Sequence, residues 1–100
     1  MASSKEYLNF ISDQLSGLGG VSYRAMMGEY VICYRGKVIG GIYDNRFLVK
    51  ETKSAAAMMP YAVRELPYPN AKEMLLVDDL EDRDFLADLL EAVAGDLPDR

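Results

Sequence analysis

One hundred residues, half of them hydrophobic, supply one compact domain with a modest core and too little chain for two. The formal net charge is −5; the single cysteine, Cys33, excludes an internal disulfide, and the lack of histidine removes the usual zinc-ligand spacings. The start Met1-Ala2-Ser3-Ser4-Lys5 has no apolar signal-peptide core, and no segment reaches the roughly 20 apolar residues of a membrane span, so one cytoplasmic domain over residues 1–100 is expected, without membrane association.

Ser3 followed by Glu6 forms a capping-box signature, and Leu8, Ile11, Leu15 and Leu18 recur at helical spacing. A first helix is predicted over 4–18, stopped by Gly17, Gly19 and Gly20. From Val21 the pattern becomes tyrosines and β-branched residues broken by short turns, which predicts a hairpin meander with strands at 21–27, 30–34, 37–43 and 46–51. Gly28, Arg35-Gly36 and Asp44-Asn45 are the turns, since these residue types tolerate the positive φ of tight hairpins. In the first strand Val21, Tyr23, Ala25 and Met27 alternate with Ser22, Arg24 and Met26, which predicts one core face and one mixed face.

Thr52 caps a short helix ended by Pro60. The stretch 60–70, with Pro67 and Pro69 around Tyr68, is expected to be extended, irregular and flexible, because proline removes the donors a sheet interior needs. A fifth strand is predicted at 74–77. Asp79 or Asp82 then opens a last helix with Phe85, Leu86, Leu89, Leu90 and Val93 on its apolar face, closed by Gly95 with Pro98 beyond. The fold class is therefore α+β: a single antiparallel sheet of about five strands, helices at both termini and one short internal helix, in the order α-β-β-β-β-α-β-α.

Charge is unevenly distributed. Residues 21–53 hold six basic and three acidic side chains, a net of +3, whereas residues 65–100 hold three basic and eleven acidic, a net of −8. An acidic chain disfavours direct nucleic-acid binding, whose affinity comes largely from neutralising phosphates. Arg35, Lys37, Arg46, Lys50 and Lys53, with tyrosines between them, give weak nucleic-acid binding as a further alternative, but strand alternation divides them between faces.

The ordered set Val21-Ser22-Tyr23-Arg24-Ala25-Met26-Met27-Gly28-Glu29-Tyr30, then Gly36-Lys37, Asp44 and the strand Arg46-Phe47-Leu48-Val49-Lys50, resembles the N-terminal domain of the TfoX/Sxy competence regulators. The resemblance spans most of the chain and is sharpest between Gly20 and Lys50, with Met26-Met27-Gly28 standing where the family commonly has Met-Phe-Gly. It implies a helix-flanked antiparallel sheet and a non-enzymatic role in bacterial transcription regulation tied to DNA uptake, exercised through protein contacts. The chain is read as a stand-alone copy of that domain, without the family's helical C-terminal domain.

Tyr23, Arg24, Met27, Glu29 and Tyr30 are the candidate interaction residues, facing a protein partner or a second copy of the chain. The alternative is a small enzyme or ligand-binding protein using Arg24 and Glu29; against it stands an exposed cross-strand ion pair between the two. No catalytic residue, metal site or cofactor is assigned. Cys33, mid-strand and without a histidine to activate it, reads as a buried hydrophobe. Met26, Met27, Met58, Met59 and Met74 read as core filling, and Asp78, Asp79, Glu81, Asp82 and Asp84 as a solvated helix start that lacks calcium-loop spacing.

Overall fold

Ser4, one residue later than the capping box suggests, starts the first helix. In the computed structural model, which describes residues 3–98, α1 (Lys5–Gln14) begins where Ser4 Oγ accepts the Tyr7 amide at 3.1 Å, leaving Ser3 free for another role. The helix also ends earlier than the predicted Leu18. After Gln14 the backbone passes through turns in which the Ser16 hydroxyl donates to the Asp13 carbonyl, and Gly20 at φ 88° leads into the sheet.

The meander is formed by β1 (Val21–Met26), β2 (Glu29–Tyr34), β3 (Lys37–Ile42) and β4 (Phe47–Lys50). Its three turns, Met27-Gly28, Arg35-Gly36 and Asp44-Asn45, have positive φ at both central residues, between 52° and 87°. That is the geometry whose twist matches the strands it joins. Next come α2 (Lys53–Met58), capped by Thr52 on the Ala55 amide, β5 (Arg64–Glu65), β6 (Met74–Leu76) and α3 (Arg83–Asp96), capped by Asp82 on the Phe85 amide. Gly95 lies inside α3 instead of closing it. The helix end is held by Lys37, whose Nζ donates to the carbonyls of Ala94 and Leu97 at 3.0 and 3.1 Å.

The expected α+β class is what the chain adopts: one antiparallel sheet in the order β1-β2-β3-β4-β6-β5, with helices at both ends. The sixth strand is β5, a two-residue strand inside the proline-rich stretch. It pairs with β6 through Arg64 with Leu75 and Glu65 with Met74, on the sheet edge where missing proline donors cost no ladder bonds.

Strand parity assigns the core. Ile32, Tyr34, Ile42, Phe47, Val49, Leu75 and Val77 meet Ile11 and Leu15 of α1, Ala55 of α2 and Leu86, Leu89, Leu90 and Val93 of α3 in one buried cluster, so all three helices cover the same sheet face. A bulge between β2 and β3 adds Ile39 to that cluster, because Cys33 pairs with Val38 while Ile32 pairs with Gly40. Each fully buried aliphatic or phenylalanine side chain contributes about 1.5–3 kcal/mol. Among the described residues no helix is long and apolar enough to cross a membrane.

Gly40 marks the tightest approach between strands, since a Cβ there would run into the Leu48 carbonyl oxygen and lie 2.8 Å from the Val49 Cα. Gly40→Ala should therefore lower the free energy of unfolding by about 1–3 kcal/mol in urea titration, whereas Gly17→Ala, with open space around it, should change it far less.

Candidate functional site

The face opposite the helices is only partly covered. Register places Arg24, Met26 and Val31, then Val38, Gly41, Tyr43, Leu48 and Met74 on this side of the sheet. Leu48, Tyr43, Met74 and Leu76 form a second, smaller apolar cluster here. The Tyr43 ring folds back across β3, which is possible because residue 41 is glycine: a Cβ there would lie 2.7 Å from the ring.

The proline-rich segment crosses over this cluster as a strap. Pro67 is buried and the Tyr68 ring stands 6.2 Å from that of Tyr43. Arg46 fastens the strap: its guanidinium pairs with Glu65, donates to the Tyr43 carbonyl at 3.0 Å and reaches the Leu66 carbonyl. Burial, with Tyr68 and Glu29 nearby, raises the pKa of the Tyr43 hydroxyl above the ordinary tyrosine value, so it stays a neutral donor.

Two open grooves flank the tyrosine pair. One, of about 1040 Å³, runs over Val31, Val38, Gly40 and Met74 between Arg24 on one side and Lys50 and Lys72 on the other. Its neighbour, of about 970 Å³, lies between Met26, Met27 and Glu29 and the strap residues Leu66, Tyr68 and Pro69. Met26, Tyr43, Pro67 and Tyr68 line both, so the two grooves make one continuous surface. Met27 at 97%, Tyr68 at 52% and Leu66 at 47% are far more exposed than side chains of this size generally are.

Glu29 closes one end of the sheet as a clasp. Its Oε1 accepts the amide of Ser3 at 2.9 Å and the hydroxyl of Ser3 at 2.5 Å, while Oε2 accepts the Asp44 amide at 2.9 Å. Ser3 Oγ in turn accepts the Asn45 amide, and the Ser4 amide donates to Asn45 Oδ1. One carboxylate thereby joins the segment before α1 to the β3–β4 turn.

A protein of Spirochaeta aurantia described as an uncharacterized 12.7 kDa protein in the trpE 5′ region is 34% identical to this chain over 99 residues, covering 98% of the chain and 86% of that protein. The chain belongs to its family. No family model matches the sequence.

In this family member the five residues singled out from sequence do not converge. Tyr23 and Tyr30 face the helices and pack against the main core, and burial raises the Tyr23 pKa, an effect opposed by a hydrogen bond with Ser12. Arg24 and Met27 are exposed on the open side, and Glu29 is engaged in the clasp, not in an ion pair with Arg24 among the described residues. Ala25 and Met27 alternate in step with the inward Val21 and Tyr23 but are exposed, because β1 ends there and the chain turns. Cys33 is buried, as read. The methionines divide: Met58 and Met59 pack against the main core, Met74 is buried in the smaller cluster on the open face, and Met26 and Met27 are exposed.

The basic residues of the middle segment are likewise dispersed. Arg35 pairs with Glu91, Arg46 with Glu65, and Lys37 sits on the end of α3. Sequence reasoning missed Val31, Val38, Tyr43, Tyr68 and Lys72 as surface residues of one site. The Gly40-Gly41 pair was the available signal, because two glycines in mid-strand mark a place where another group approaches the backbone closely.

Glu29→Ala should lower unfolding stability by about 1–3 kcal/mol in chemical denaturation, since it leaves the Ser3 and Asp44 donors without their charged acceptor. Met27→Ala, at a nearly fully exposed position, should stay within about 0.5 kcal/mol.

Proposed function

We propose that this chain is a non-enzymatic, cytoplasmic protein-interaction domain of a regulatory kind, similar to the N-terminal domain of TfoX/Sxy competence regulators, and that it docks partners on the open face of its sheet. The observation that carries this reading is the continuous surface from Val38 to Met27, where apolar side chains stay in solvent beside a groove that the strap leaves uncovered. Contiguous exposed apolar surface with a polar rim is the usual mark of a binding face. Methionines at its centre suit it, because their unbranched side chains adapt to a partner's shape.

The family likeness supports the regulatory part of the reading through the ordered Arg24, Met26, Gly28, Gly36-Lys37 and Asp44 positions, which fall on the hairpins that build this face. The catalytic alternative is weaker on chemical grounds: a general base needs a carboxylate within reach of a substrate proton, and both Glu29 oxygens already accept protein donors.

A photo-crosslinking residue in place of Val38, introduced in the cells that make the protein, should give a discrete protein adduct. The same residue at Asp88, exposed on α3, should give none. Equal labelling from both positions, or none from Val38, would contradict the open face as the docking surface.

A further inference from the structure

The arginines divide sharply by partner. Arg35, Arg46, Arg64 and Arg83 each hold a carboxylate, those of Glu91, Glu65, Glu51 and Asp13. Arg24 holds none among the described residues, although the chain carries 16 acidic side chains against 11 basic ones. Arg24 is also the arginine that lines the larger groove, where the Lys50 and Lys72 side chains are likewise without a hydrogen bond or ion pair among the described residues. The groove has two carboxylates on its rim. Glu51 is held bidentately by Arg64, and Glu73 lies close enough to help keep the Arg64 guanidinium charged. Among the described residues, an acidic protein thus presents three cations without an ion-pair partner, against one such carboxylate, Glu73, around a largely apolar floor.

We propose that the groove binds an extended acidic segment of a partner protein, with two carboxylates on Arg24 and on Lys50 or Lys72 and an apolar side chain between them on Val31 and Val38. This rests on the reading of the open face as a docking surface and adds the chemistry of what docks. The spacing follows from the sheet. Arg24 on β1 lies three strand spacings from β4 and, by register, opposite Leu48, so Lys50 is offset from it by two residues along the strand. The backbone separation is about 16 Å, which an extended peptide and its side chains span in about four to five steps of roughly 3.3 Å each. Residues i, i+2 and i+4 of an extended segment point the same way, so the segment reads acidic-x-apolar-x-acidic.

Charge and floor together select a peptide over single-stranded nucleic acid. A nucleic-acid groove needs a continuous basic track with a row of aromatic platforms for the bases, whereas the floor between these cations is Val31, Val38 and Met74, the two tyrosines lie together at one side with tilted rings, and a chain of net charge −5 repels a polyphosphate far more than a segment with two carboxylates. A second copy fits less well for a specific reason. The chain's own run Asp78-Asp79-Leu80-Glu81-Asp82 has the required spacing, but Leu80 packs against its own core and its carbonyl accepts the Gln14 amide.

The test is an NMR amide titration of the full chain with the synthetic peptide Ser-Glu-Ser-Leu-Ser-Glu-Ser and with its counterpart bearing lysine in place of both glutamates. The glutamate peptide should shift the Val31, Val38 and Lys50 amides saturably below about 1 mM, and the lysine peptide should not. Arg24→Glu should weaken binding at least about tenfold, and Arg24→Lys should restore part of it, with well-dispersed spectra showing that both variants fold. Equal binding of the lysine peptide would overturn the acidic preference while leaving the docking surface standing. The proposal is also overturned if neither peptide moves these amides, if Arg24→Glu binds as the parent does, if an oligo-dT strand occupies them more tightly, or if they shift on simple dilution of the protein, which would mark self-association. Failure of the docking surface itself shows separately, as loss of the Val38 crosslink.

Discussion

One-sided burial governs this molecule. Three two-residue turns, each with both central residues at positive φ, lock the register of four strands, and register decides which side chains reach the helices. With α1, α2 and α3 all on one side, the main core forms there and the other side is left to a strap eight residues long, Leu66 to Glu73. A slip of one residue in any hairpin would exchange the two faces. The groove is therefore a consequence of the same constraint that makes the core.

The clasp and the strap stabilise that arrangement from opposite ends. Glu29 ties the chain before α1 to the β3–β4 turn, and Arg46 ties that same hairpin to the strap through Glu65 and the Leu66 carbonyl. Asp96 makes a comparable tie on the helix side, accepting the Ser54 amide and hydroxyl, which hold its carboxyl below the usual carboxylate range and join α3 to α2. Charged side chains are used here mainly to connect elements. Among the described residues, that makes the unpaired Arg24 of the groove stand apart from the other arginines.

Much of the fold was legible because its determinants are local. Gly28, Arg35-Gly36 and Asp44-Asn45 announce hairpins, Thr52 and Asp82 announce helix starts, and the Phe85 to Val93 spacing announces the last apolar face. What was not legible depends on tertiary contacts. The last helix runs through Gly95 because Lys37, 57 residues away in sequence, satisfies the Ala94 carbonyl, and Ser3 leaves the capping role because Glu29 accepts both its hydroxyl and its amide. The site was read less well than the fold. Alternation within β1 groups Tyr23 with Met27, yet only the course of the strap reveals that Tyr43, Tyr68 and Lys72 line one groove with Arg24.

The central claim is that the open face is a binding surface that the protein itself leaves uncovered. Hydroxyl-radical footprinting tests it most directly, read at Met26, Met27 and Tyr68 on the purified chain and on the chain isolated in its native complexes. The account predicts rapid oxidation of all three in the purified chain and strong protection in the complexes, with Phe10 on α1 unchanged. Protection of these residues in the purified monomer, or oxidation at the same rate in both preparations, would contradict it.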